Sequence, residues 1–179
     1  MSVQKLERVA KARKDQGKCT RCGDALPVGS PYQYWYPGFR SNYKIVRCMK
    51  PECTPAPSER ETSKFASVMA AQEQFDVSLM DNKDDIEAAV QEFSSTVQEL
   101  ADEYEEALSA WENGNEQLEE KRDHYQEQAD ELANWTFEGD EEPEKEEDED
   151  DDKFGERWAE WIDQVRGEAE EAVQNVEQI

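Results

Sequence analysis

The chain has 179 residues, of which 36% are hydrophobic and 36% charged, with a formal net charge of −25 and a mean hydropathy of −1.08. That composition leaves little material for one large core, and it excludes a compact single-domain enzyme in favour of a small module with exposed helices. The charge is split: residues 1–64 hold 13 Lys and Arg against 6 Asp and Glu, whereas residues 65–179 hold 7 against 39.

Residues 1–17 read as a basic N-terminal helix, with Val3, Leu6, Val9 and Ala10 on one face and Lys5, Arg8, Lys11, Arg13 and Lys14 around them. This segment is charged and has no apolar secretory region, and no run approaches the roughly 18 apolar residues of a membrane span. The expectation is a soluble protein of the cytoplasm.

Residues 18–57 read as a compact metal-binding module. Cys19 and Cys22 form a C-x2-C knuckle closed by Gly23, and Cys48 and Cys53 supply a second pair. In a reducing compartment four cysteines at this spacing read as metal ligands rather than disulfides. Four thiolates around one tetrahedral ion define a closed structural site, with Zn2+ as the expected metal and no open position for catalysis. Between the pairs, Tyr32, Tyr34 and Tyr36 alternate with Gln33 and Trp35 as in a strand. Pro37-Gly38 reads as a turn, and residues 43–47 as the returning strand of a β-hairpin.

Residues 58–136 read as helical. Ser58 and Glu61 fit a capping box for a helix reaching about Phe75. Beyond a loop, Ile86, Val90, Phe93, Val97, Leu100, Tyr104, Ala107 and Trp111 follow a heptad seam, continued through Gly114, Leu118, Lys121, Tyr125, Gln128, Leu132 and Trp135. Two structures fit, one long helix or a hairpin at Asn113-Gly114-Asn115, and the unbroken register favours the single helix. Residues 137–153 read as an acidic disordered linker. Residues 154–179 read as an amphipathic helix whose stripe includes Trp158, Trp161, Ile162, Val165, Ala169 and Val173. That stripe must bury on the seam within the chain or in a second copy. The fold class is thus mainly α: a four-cysteine zinc-finger module with a β-hairpin, then long acidic heptad helices in a bundle or coiled coil.

The arrangement of C-x2-C, aromatic hairpin, basic strand and second cysteine pair resembles treble-clef and PARP-type zinc fingers. Residues 8–75 also resemble small zinc-finger proteins of actinobacteriophages, which implies a bacteriophage protein acting in the cytoplasm of its bacterial host. The PARP-type second pair is His and Cys with two residues between them, whereas here four residues separate Cys48 from Cys53, so only the metal ligands carry over.

No phosphate-binding loop or nucleophile motif is present in the sequence, and His124, the one histidine, has no catalytic neighbour in sequence. The expected function is non-enzymatic binding. Lys11, Arg13, Lys14, Arg21, Trp35, Arg40, Lys44 and Arg47 are the candidate nucleic-acid contacts, basic groups for phosphates and an aromatic ring for bases. The alternative is an acidic, DNA-mimic-like adaptor or inhibitor whose helical region binds a basic host protein. Homo-oligomerisation through the heptad seam is a third expectation.

Overall fold

The computed structural model describes residues 3–38, 41–146 and 149–179. It divides into two compact units, residues 1–73 and 74–179.

The first unit is built on a three-stranded antiparallel sheet of β1 (Glu7–Val9), β2 (Tyr32–Trp35) and β3 (Ile45–Cys48), with β2 central. The expected hairpin is present, with Tyr32 opposite Cys48 and Trp35 opposite Ile45. The N-terminal helix is not. Residues 7–9 instead pair with β2, Val9 lying opposite Tyr32 and Glu7 opposite Tyr34. An isolated helix of this length is marginal in water, whereas the open edge of β2 offers hydrogen bonds that must find partners. The flanking chain is held the same way: Gln4 donates to the Arg60 carbonyl at 2.8 Å, and Ala12 to the Ser30 carbonyl at 2.9 Å.

One sheet face packs on a cluster of Ala12, Cys19, Leu26, Tyr32, Val46, Cys48 and Cys53. The segment from Cys53 to Glu59 is bonded to the other face, through Gln33 and Arg47. Both faces are therefore covered. The capping box does not form either. Ser58–Arg60 is a short 3-10 turn, and the helix α1 spans only Ala66–Gln74. The Glu61 carboxylate turns forward, accepting from the Thr62 and Ser63 amides at 2.9 Å each, while the Ser58 amide donates to Glu73 at 3.0 Å.

The second unit contains α2 (Lys83–Ser109), α3 (Glu116–Ala133) and α4 (Asp151–Gln174). The favoured single helix over 86–135 is overturned: the chain folds back between α2 and α3. Gly114 sits at φ +72°, a conformation glycine adopts without steric cost, and the Asn115 side chain caps α3 by accepting from the Leu118 amide. Folding back removes both arms of the seam from water. Ile86, Val90, Val97 and Leu100 of α2 and Tyr125 and Leu132 of α3 are buried, and Tyr104 stacks on Tyr125 at 5.7 Å and 12°. A single helix would leave both arms exposed.

The α4 stripe packs against α2, with Val165, Ala169 and Val173 fully buried. Arg166 ties it to the start of α2 by donating to the Met80 carbonyl at 2.9 and 3.0 Å. The C-terminus reaches α3, where the Ile179 amide donates to the Tyr125 hydroxyl and His124 lies 3.3 Å from the Glu177 carbonyl. Much of the seam is thus covered within the chain, although Trp111 is 57% exposed.

The acidic linker has no helix or strand among its described residues before Asp151, yet it is tied down. Trp161 donates its indole N–H to the Asp140 carbonyl at 2.8 Å, and Arg157 bonds the Glu144 carbonyl and the Glu149 carboxylate. Asp150 caps α4 by accepting from the Asp152 amide, so the helix starts at Asp151, earlier than the apolar stripe alone suggests. No helix among the described residues is long and apolar enough to cross a membrane.

Candidate metal centre

Local backbone geometry delivers each cysteine. Cys19 and Cys22 sit on a knuckle in which the Cys19 amide donates to the Asp24 carbonyl at 2.8 Å and the Gly23 amide to the Cys19 carbonyl at 3.0 Å. Gly23 is at φ +78°, the left-handed conformation that lets the chain turn there. The knuckle is clamped to β3, since both the amide and the hydroxyl of Thr20 donate to the Val46 carbonyl. Cys48 ends β3. Cys53 ends the 3-10 turn Pro51–Cys53, its amide donating to the Lys50 carbonyl at 2.9 Å.

The four sulfurs all lie within 4.8 Å of one another, and Cys22 Sγ is 3.7 Å from Cys48 Sγ. A tetrahedral ion with metal–sulfur bonds of about 2.3 Å separates its sulfurs by about 3.8 Å. A disulfide needs about 2.05 Å, and all four cysteines are free thiols. The donor set therefore fits one metal ion. Cys19, Cys48 and Cys53 are buried and Cys22 is exposed.

The thiols differ in acidity. Burial pushes Cys19 up, but backbone hydrogen bonds from Cys22, Cys48 and Arg21 outweigh it and bring the group down to about 6. Burial, followed by hydrogen bonds to the Cys48, Cys22 and Cys19 thiols, pushes Cys53 up to about 12. The cluster thus starts with one ready thiolate, and a cation must displace protons from others.

Gln33 was missed by sequence reasoning. Its side chain is 1% exposed, and its Nε2 donates to the Cys48 carbonyl at 2.9 Å and the Cys53 carbonyl at 3.2 Å. One carboxamide thereby joins the two ligands of the second pair. Gln33→Leu removes that link but also the unpartnered Gln33 Oε1. Because the Cys48 and Cys53 carbonyls lose their buried donor, we expect a loss of about 1–3 kcal/mol in stability and metal affinity lower by about tenfold or more, measured by competition with a chromophoric chelator. Unchanged affinity would mean the ligand geometry does not depend on the link.

The candidate nucleic-acid residues do not form one set. Lys11, Arg13 and Lys14 are exposed and, among the described residues, have no ion-pair partner. Arg21 is half exposed, with Glu59 at 3.7 Å. Lys44 is partly buried, its Nζ 5.1 and 4.9 Å from the ring centres of Tyr32 and Tyr34. Arg47 forms a two-point ion pair with Glu59 at 2.6 and 2.8 Å and lies over the Trp35 ring. Trp35 is 2% exposed, so it belongs to the core and has no face for a base. Arg40 lies outside the described residues.

The fold and the site together define a small four-thiolate metal-site module joined in sequence to an acidic helical unit. Comparison with family models, with curated proteins and with solved structures finds no match to this chain.

Proposed function

We propose that the protein is a non-enzymatic zinc-finger protein that binds nucleic acid through the first unit. Zinc is favoured over an iron–sulfur cluster because a polynuclear cluster spreads its thiolates over several irons, whereas these sulfurs converge on one point. With four protein ligands such an ion has no open position, so its role is structural. The observation that carries the partner is the segment from Lys11 to Lys18. Lys11, Arg13, Lys14 and Lys18 are exposed there, and the one acidic residue of the segment, Asp15, accepts from the Gly17 amide, leaving the segment net cationic. Within a chain of net charge −25, a cationic strip of this kind suits a polyanion.

Replacing Lys11, Arg13 and Lys14 together by Glu in the full chain is expected to weaken binding of a labelled oligonucleotide by about tenfold or more at ~0.1 M salt. The slope of log K against log salt should fall by about 2. Fluorescence polarisation over a salt series reads both.

A second reading rests on α3, whose outer surface is lined by Asp123, Glu127, Asp130 and Glu131 and would suit a basic protein. Oligonucleotide binding indifferent to the triple charge reversal, with a basic protein retained from nuclease-treated lysate, would favour it.

A further inference from the structure

The alternation of β2 places Tyr32 and Tyr34 on one side, Tyr36 follows directly after the strand, and the three rings touch in sequence. Tyr32 and Tyr34 have ring centres 5.9 Å apart, and Tyr34 and Tyr36 meet edge to face at 5.8 Å. Exposure rises along the row: Tyr32 is 7% exposed, Tyr34 is half-buried and Tyr36 is 43% exposed. The row is therefore anchored at one end and open at the other. Lys44 lies over its middle, with Nζ 4.9 Å from the Tyr34 ring centre. Lys44 donates to the Gln16 Oε1 at 2.5 Å, and Gln16 donates through Nε2 to the Lys14 carbonyl at 2.8 Å. An unbroken path of contacts thus runs from the open ring of Tyr36 to the cationic segment. Glu7, the carboxylate opposite Tyr34 on β1, is paired with Lys5 at 2.6 Å.

We propose that this path is a binding surface for single-stranded nucleic acid, with a base stacked on Tyr36 and the adjoining phosphates held by Lys44, Lys14 and the neighbouring basic residues. The inference rests on the nucleic-acid reading above and narrows it. Stacking on an aromatic ring requires a base that is free of its own stack, which a single strand offers and a duplex does not. The cations serve either form, so the ring is what discriminates. Tyr34 meets the Tyr36 ring edge to face, and Lys44 lies over Tyr34 in turn. The rigid row is already in place before the ligand arrives, so little side-chain freedom is lost on binding.

The test uses the full-length, metal-loaded protein with a fluorescein-labelled 20-mer of thymidine and a 20-base-pair duplex, at about 0.1 M salt. The single strand should bind at least about tenfold more tightly than the duplex. Tyr36→Ala should weaken the single strand by about tenfold and leave the duplex unchanged. Tyr36→Leu keeps apolar cover on Tyr34 but has no ring, and it should behave like the alanine variant while retaining its full metal content. Equal or tighter duplex binding, or a leucine variant with undiminished single-strand affinity, overturns the inference. If that happens while reversal of Lys11, Arg13 and Lys14 still weakens binding, the broader reading stands and only this one falls. If neither oligonucleotide binds, both fall.

Discussion

Stripping the metal from the protein with a strong chelator is expected to unfold the first unit while leaving most of the helical signal in place. The first unit has three strands of three or four residues each, too little sheet to be stable without a further constraint. Three of its seven clustered core residues are the metal ligands Cys19, Cys48 and Cys53. Without the ion, the knuckle, the end of β3 and the 3-10 turn are held together by weaker ties such as the Thr20 bonds to the Val46 carbonyl and the Gln33 link. Metal binding at such a site is folding free energy, on the order of 10 kcal/mol at neutral pH. The second unit contains α2, α3 and α4 and none of the ligands, so its circular dichroism should persist. Acid should act as the chelator does. The thiols must be deprotonated to hold the ion, so affinity rises with pH and the module is lost as pH falls through the value of about 6 to which Cys19 is lowered. Amide exchange read unit by unit separates the two responses. Joint collapse of both units, or retention of strand protection after chelation, would contradict this account.

The second large effect belongs to the helical unit. Trp161 is 4% exposed, lies edge to face with Phe137 at 6.0 Å, touches Trp158 at 5.3 Å, and donates to the Asp140 carbonyl. It is where α4, the chain after α3 and the acidic linker meet. Trp161→Ala should cost about 3–5 kcal/mol, through lost burial and the cavity left behind. Trp161→Phe keeps most of the apolar contact but strands the Asp140 carbonyl, and should cost about 1–2 kcal/mol. Urea titration followed by helical circular dichroism measures both, and metal retention at denaturant levels that melt the helices would show that the damage is confined to the second unit. A cost below about 1 kcal/mol for the alanine variant would mean that the linker and α4 are not joined at this ring.

How much of this was legible in the sequence depends on whether the deciding interaction is local. The clustering of the four cysteines was legible because knuckle spacing is itself the geometry: Cys19, Cys22 and Gly23 need only one another to turn. The hairpin and the bulk of α2 were legible for the same reason, through period two in residues 32–36 and steps of three and four from Ile86. The strand at Glu7–Val9 was not, because its partner is 25 residues away at Tyr32–Tyr34 and its apolar spacing also fits a helix. Trp35 and Gln33 were misjudged because alternation implies one covered face, whereas this sheet is covered on both. The turn at Gly114 was concealed by a register that runs through it. A heptad cannot tell one helix from two that fold together, and what decides is that folding back buries both arms. In the acidic linker the carboxylates drew attention, while the backbone carbonyls of Asp140 and Glu144 share with the Glu149 carboxylate the bonds that hold it.

The most direct test of the central claim is X-ray absorption at the metal edge, combined with elemental analysis of protein purified under reducing conditions. One ion per chain with four sulfur neighbours at about 2.3 Å is the expected result, and zinc as that ion would support the proposed identity. A chain without bound metal, or with Cys19, Cys22, Cys48 and Cys53 paired as disulfides, would contradict the account.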